Sequence, residues 1–180
     1  MLTTKRLLLR PWKHEDLPGF AALNNDPDVM AFFPKRLTRE ESDAGAERLR
    51  TRIDREGWGF WALEVPGIAP FTGFVGLSVP QFEAHFTPCV EVGWRLAKAY
   101  WGKGYATDAA RVAIAYGFDT LGLPEIVSFT SEGNWRSRAV MERLGMLHDA
   151  RDDFDHPAIE KGHPLQRHVL YRLAKSSWGG

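Results

Sequence analysis

The residues best able to do chemistry by type and spacing are Tyr100-Trp101-Gly102-Lys103-Gly104-Tyr105-Ala106-Thr107, between a strand-like run and a helix-like run. Two glycines around one lysine let bare backbone N–H groups close on an anion. A helix opening at Tyr105 adds its unpaired first N–H groups and the positive end of its dipole. A phosphate-bearing ligand is therefore the first expectation. Two better-known glycine loops do not fit. A P-loop has Ser or Thr directly after its lysine, where Gly104 stands. A dinucleotide fingerprint has a third glycine where Thr107 stands, and it follows the first strand of a parallel sheet.

The elements around the loop are legible from periodicity. Ahead of it, Val90, Val92, Trp94 and Leu96 alternate with Glu91, Gly93 and Arg95, which predicts a half-buried strand with Glu91 turned away from its apolar side. Behind it, Ala106, Ala110, Ala113, Ile114, Gly117 and Leu121 make a narrow stripe of mostly small residues, suited to a helix lying close on a sheet. Gly122-Leu123-Pro124 ends that helix, and Glu125 to Thr130 reads as the next strand, so the loop sits inside a βαβ-like unit. A second helix follows Gly133-Asn134, carries Ala139, Val140 and Leu144, and stops at Gly145, with Asn134 a suitable N-cap.

Upstream, Leu7 to Arg10 reads as a short strand closed by Pro11. A helix through Leu17, Phe20 and Ala21 stops near Asn24-Asn25-Asp26-Pro27. Thr38-Arg39-Glu40-Glu41 has the pattern of a capping box and opens a helix to about Arg55 with Ala46, Leu49 and Ile53 on its apolar stripe. Gly59 to Val65, Phe71 to Leu77 and Cys89 to Leu96 suggest an antiparallel meander, with Pro66-Gly67 turning the first pair. Met146 onward reads as loop until a final strand, Arg167 to Leu173.

The chain has 180 residues and 44% hydrophobic content, enough for a core and consistent with one domain, 1–180. Lys+Arg and Asp+Glu both number 23, so the overall charge attracts no nucleic acid. A lone Cys89 forms no internal disulfide, and the three leucines after Arg6 are too short for a signal peptide or membrane span, so a cytoplasmic protein is expected.

Taken together, these motifs resemble the GNAT superfamily of N-acetyltransferases. More narrowly they are similar to its RimJ/RimL-type branch of ribosomal-protein N-terminal acetyltransferases. The family pattern R/Q-x-x-G-x-G/A falls on Trp101-Gly102-Lys103-Gly104-Tyr105-Ala106, with tryptophan in the first slot. An Asn-x-x-Ser…Leu-Gly segment falls on Asn134, Ser137, Leu144 and Gly145, and Arg6 to Pro11 and Asn24 to Val29 also fit the branch. The resemblance implies an α/β fold: a mixed, mostly antiparallel sheet splayed in the middle, with helices on both faces. It also implies acetyl-CoA as co-substrate, its pyrophosphate on the N–H groups of Trp101, Gly102, Lys103, Gly104, Tyr105, Ala106 and Thr107. The pantetheine arm would lie between the strand ending near Leu96 and the strand from Ile126, held by Asn134. For Asn134 a plain helix cap is an equal reading, and one side chain could serve both.

Acetyl transfer to an amine needs a neutral amine, donors for the developing oxyanion and a way to accommodate the leaving thiolate. A terminal amine, with a pKa of about 8, loses its proton more readily than a lysine at about 10.4. Glu91 is the candidate to take that proton, directly or through a water; the competing reading is a solvated or salt-bridged strand carboxylate. Backbone N–H groups near Leu96 would polarise the thioester carbonyl if the strand bulges there. The tyrosine that relatives place on the second helix is replaced by Met141, and Ser137 is the substitute as a hydrogen-bond donor to the thiolate. The expected acceptor is a protein or peptide N-terminal amine in a ternary complex. A small-molecule amine such as a polyamine, an aminoglycoside or an amino acid stays open, as does a non-catalytic acyl-CoA-binding module. No nucleic acid, membrane or metal partner is expected, and the chain is read as a monomer or homodimer.

Several other residues invite a role. His156 and His163 lie in loops without a closely spaced ligand set, and His168 reads as a structural histidine. Cys89 lacks a basic neighbour to activate it. Asp152, Asp153 and Asp155 read as a solvated run. Phe32, Phe33, Trp58 and Trp61 read either as core or as pocket wall.

Overall fold

The structure is a computed structural model and describes residues 1–179. Near the N-terminus β1 (Leu2–Thr3) and β2 (Leu8–Arg10) pair with each other, and α1 (Leu17–Asn25) and α2 (Arg39–Glu56) follow. The capping box of α2 forms as its residue types dictate: the Glu41 N–H donates to Thr38 Oγ1 at 3.2 Å and the Thr38 N–H to Glu41 Oε2 at 2.9 Å. Arg10 is buried and fully engaged. Its guanidinium reaches both oxygens of Asp16 at 2.8 Å, Glu64 Oε2 at 2.7 Å and the carbonyls of Pro11 and Pro70.

The meander is present as β3 (Phe60–Val65), β4 (Ala69–Ser78) and β5 (Glu91–Leu96), all antiparallel. After the loop come α3 (Tyr105–Asp119), β6 (Glu125–Ser131), α4 (Trp135–Arg143), β7 (Leu147–His148), β8 (Phe154–Asp155) and β9 (Arg167–Ala174). The sheet order is β1-β2-β3-β4-β5-β6-β9-β7, with β8 also on β9; the β5–β6 pair is parallel and the rest antiparallel. The strands β7 and β8 lie where a loop was expected, because two residues are too few to show a period.

Helices cover both faces of the sheet. On one face α3 packs over Trp61, Leu77 and Ile126, with Trp61 edge-on to Tyr116 at 5.6 Å. Gly117 permits the close approach, since a Cβ there would stand 2.7 Å from Ile126 Cδ1. The buried side of α3 also takes Ala109 and Phe118, while Ala106 and Leu121 of the expected stripe are half-buried. On the other face Trp12, Phe20, Phe60 and Phe74 form an aromatic cluster under α1. Beyond the splay on this second face, Phe82 and Phe86 of the β4–β5 connection pack on Phe129 and Phe154.

Candidate active site

The glycine loop has the geometry of an anion cradle. Gly102 and Gly104 have φ of 71° and 77°, the left-handed conformation that glycine adopts without steric cost. The α3 ladder begins with the Asp108 N–H on Gly104 O at 3.0 Å, which leaves the N–H groups of Tyr105, Ala106 and Thr107 ahead of it. The back of the loop is braced by Arg6, which donates to Lys103 O at 3.1 Å, pairs with Asp108 at 2.5 Å and lies 5.1 Å from the Tyr105 ring centre. Trp101 is pinned through its indole N–H to Leu96 O at 2.7 Å. These contacts hold the cradle open before any ligand arrives.

The sheet opens next to the loop. The parallel pair β5 and β6 meets at one register position, Glu91 with Val127, supported by the Val127 N–H on Val90 O and Ser128 Oγ–H on Val92 O. Past that point β5 stays on β4 while β6 stays on β9, so their facing edges part. The bulge expected near Leu96 is not there: the β4–β5 register runs unshifted from Ser78–Glu91 to Gly73–Leu96, and the shift in the meander lies between Leu63 and Val65 on β3. Gly73 carries the local distortion instead, with φ of 143° and room for no Cβ, which would stand 2.2 Å from Arg95 O. A donor to the thioester carbonyl at Leu96 therefore lacks the irregularity that was to aim it.

Asn134 caps α4, its Oδ1 accepting from the Ser137 N–H at 3.3 Å. Its amide also donates to Thr130 Oγ1 at 2.9 Å and to Ser137 Oγ at 3.1 Å. Since Ser137 Oγ is an acceptor in that bond, its own O–H is left to point elsewhere. Arg136, between them in sequence, lies 4.6 Å over the Trp101 ring, which sets the first turn of α4 against the glycine loop. Met141 is 1% exposed and belongs to the core.

Glu91 leaves the α3 face, as the alternation predicts. The side it turns to is not open solvent, however: Glu91 is half-buried, with Arg52 of α2 on the opposing Ser78, Asn24 of α1 on Arg95, and Phe60 against Gly93. Burial pushes its carboxyl up to about 7, against the opposing field of Arg52. Arg52 donates to Ser78 Oγ at 3.2 Å, and Ser78 is the β4 partner of Glu91. A groove of about 550 Å³ begins at Val79 and is lined by Arg48, Arg52, Trp58 and Gln81. On the same side of β5, Arg95 Nη1 donates to Asn24 Oδ1 at 2.6 Å, and its guanidinium lies 3.9 Å from the Phe33 ring centre. Phe32 lies near the β6–α4 turn, where a Cβ on Gly133 would be 3.6 Å from its ring. The segment carrying Phe32 and Phe33 thus reaches from Arg95 to the turn before Asn134. Sequence reasoning gave no site role to Arg52, Arg95 or Asn24: Asn24 was read as part of a helix stop, and an arginine on a polar helix or an alternating strand is common on solvated faces.

Other residues are engaged elsewhere. Asp152 pairs with Arg172, Asp153 with His148 and Asp155 with Arg167; Asp155 is solvated as expected, whereas Asp152 and Asp153 are drawn partly into the fold. Burial pushes the Cys89 thiol up to about 11, the opposite of activation. His168 packs 4.9 Å from His156, and burial pushes it down to about 4. Trp61 is core, whereas Trp58 lines the groove. Among the described residues no group of three or more His, Cys, Asp or Glu is placed to hold a metal, and no helix is long and apolar enough to cross a membrane.

Comparison with known proteins agrees with this geometry. A family model described as an acetyltransferase (GNAT) domain matches residues 6–147. The FsC-acetyl coenzyme A-N(2)-transacetylase of Aspergillus fumigatus is 32% identical over 98% of this chain and 77% of its own length. A GNAT-family acetyltransferase from Bacillus anthracis superposes with a TM-score of 0.79 at 23% identity, covering 97% of this chain and 98% of that one. The ribosomal-protein-S5-alanine acetyltransferase of Vibrio fischeri superposes with a TM-score of 0.75 at 19% identity, covering 99% and 98%.

Proposed function

The chain belongs to the GNAT acetyltransferase family and is an acetyl-CoA-dependent N-acetyltransferase, and from that premise we propose that its acceptor is the terminal amino group of a peptide or protein, in the manner of the RimJ/RimL-type branch. The observation that carries the reading is Glu91, a half-buried carboxyl beside the point where β5 and β6 part, with a value of about 7. A proton acceptor poised there matches a terminal amine of about 8 far better than a lysine of about 10.4. Arg52 and Arg95 make the surroundings cationic, which disfavours a polyamine or aminoglycoside.

The residues present fit the co-substrate. The free first N–H groups of α3 and the left-handed glycines would hold the pyrophosphate, and the parted edges of β5 and β6 would take the pantetheine arm. Acetyl-CoA supplies an activated acyl group on a thiol of pKa about 8.5, a leaving group that needs little assistance. Glu91 takes the amine proton as the nitrogen attacks. Ser137 donates its free O–H to the departing sulfur, and Asn134 fixes the serine rotamer by donating to Ser137 Oγ. A serine hydroxyl is too weak an acid to surrender its proton outright, so stabilisation by a hydrogen bond is the role assigned to it. Residues 1–180 act as one domain holding both substrates.

A thiol-release screen with acetyl-CoA over N-terminal peptides, polyamines and aminoglycosides tests this. Turnover confined to terminal amines is the expected result, and turnover confined to polyamines or aminoglycosides would overturn it.

A further inference from the structure

Among the described residues, two buried side-chain polar atoms lack a hydrogen-bond partner, Arg52 Nε and Arg95 Nε. Both flank Glu91. Arg52 reaches Ser78, directly opposite Glu91, and Arg95 stands four residues along the same strand on the same side, about 13 Å away at about 3.3 Å per residue. Arg10 shows what this fold does with a buried guanidinium that is purely structural: it supplies Asp16, Glu64 and two carbonyls. Arg95 has the neutral Asn24 oxygen and the faces of Phe33 and Phe74, at 3.9 and 5.4 Å. Burial alone pushes it down to about 10, with no carboxylate to offset the effect. Asn24 cannot relieve this by charge, and its own amide is spent on Ser42 Oγ at 3.0 Å. A guanidinium is a planar fork matched to a carboxylate, and one left without an anion beside a proton acceptor is poised for an anion from outside.

We infer that the acceptor carries a carboxylate a few bonds from its reacting amine, and that Arg95 binds that carboxylate while Glu91 faces the amine. The inference rests on the reading of this side of β5 as the acceptor side. Phe33, lying on the guanidinium, leaves the edge of the fork as the approach, and Arg52 adds a second positive wall toward the groove at Val79. On the peptide reading the carboxylate is that of an acidic residue near the N-terminus; a free amino acid is the competing source, and transfer confined to it would overturn the peptide reading while keeping the role of Arg95.

The test uses matched pairs on the wild-type enzyme: free amino acids against their amides, and short peptides with Asp or Glu against Asn or Gln at the second and third positions. The carboxylate member is expected to have the higher kcat/KM by about tenfold or more, and the pair in which this occurs identifies the source. Arg95→Gln is expected to erase that ratio, chiefly through KM for the carboxylate members, with acetyl-CoA affinity kept within about threefold; Arg95→Lys, which keeps the charge, retains part of the ratio. Acetyl-CoA affinity reports that each variant is folded, and the wild-type pairs decide the matter even if Arg95→Gln is not. Transfer to amines without preference for the carboxylate member overturns this inference and leaves the acceptor reading standing, as does a preference that survives in folded Arg95→Gln. No transfer to any amine overturns both.

Discussion

Replacing Glu91 by Gln separates catalysis from stability in opposite directions. The carboxyl has an ordinary value of 4.5 and is pushed up to about 7 by burial, a difference worth about 3 kcal/mol at about 1.36 kcal/mol per pH unit. Because the folded-state value is the higher one, the native protein holds a proton that the unfolded chain has lost between 4.5 and about 7. Stability is therefore free of this cost below 4.5, falls as pH rises through the window, and carries the whole cost above about 7. Glutamine fills the same space without the charge, so at pH 8 the variant should be the more stable protein, by up to about 3 kcal/mol. Even a third of that raises the unfolding midpoint by about 2–4 °C. The advantage should shrink at pH 5. Turnover should move the other way, dropping by about a hundredfold or more with loss of the proton acceptor. The wild-type limb near pH 7 should vanish and leave only the limb of the amine itself, near about 8. Thermal unfolding at pH 5 and 8, alongside thiol release from pH 5.5 to 9, measures both. Wild-type turnover in the variant at pH 8 refutes the proton-acceptor role, and no gain in midpoint between pH 5 and 8 refutes the buried carboxyl on which it depends.

Three further outcomes are expected. Arg52→Met removes the charge that opposes burial at Glu91, so the limb near 7 should move to higher pH; an unmoved limb means that Arg52 does not act on it. Ser137→Ala should lower turnover by about tenfold to a hundredfold with acetyl-CoA affinity nearly intact, since the Asn134 cap uses the serine backbone N–H; unchanged turnover removes Ser137 from the mechanism. Gly104→Ala places a side chain at φ 77°, with its Cβ 3.3 Å from Arg6 Nη2, and should cost about 1–2 kcal/mol while raising the KM for acetyl-CoA; an unaltered KM would mean that the loop does not hold the donor.

The shape of the glycine loop was legible because its determinants are contiguous, although the Trp101 N–H expected to join the cradle is spent on Lys98 O at 3.1 Å. The glycines, the lysine and the start of α3 lie within eight residues, and the N–H groups that matter are backbone, so composition at those positions nearly decides the geometry. Asn134 was legible as a cap for the same reason, and the cap forms: Oδ1 accepts from the Ser137 N–H, while the amide expected to hold the pantetheine arm is spent on Thr130 Oγ1 and Ser137 Oγ. The alternation in β5 correctly sent Glu91 to the side opposite α3. It could not say what covers that side, because α1 and α2 lie far upstream in the chain and their docking is a tertiary fact. The regular register at Leu96 has the same origin, since a bulge is a property of a pair of strands and the distortion was taken up by Gly73 on the partner.

The acceptor half illustrates the limit more sharply. Asn24, Phe33, Arg52, Ser78, Glu91 and Arg95 come from α1, the loop after it, α2, β4 and β5, and no motif joins them. An arginine on an alternating strand carries no sequence mark of burial, and the informative property of Arg95, a guanidinium bonded to an amide instead of a carboxylate, exists only once Asn24 and Phe33 have been brought across the sheet. Arg10 is the counterexample from the same chain, also a strand arginine, whose acids at Asp16 and Glu64 close around it. If recognition of the acceptor resides in the difference between these two arginines, relatives that share the glycine loop can differ freely in acceptor. On the proposed reading the loop would constrain the donor through backbone geometry, and the acceptor side would be set by individual side chains on separate elements, each replaceable without disturbing the cradle.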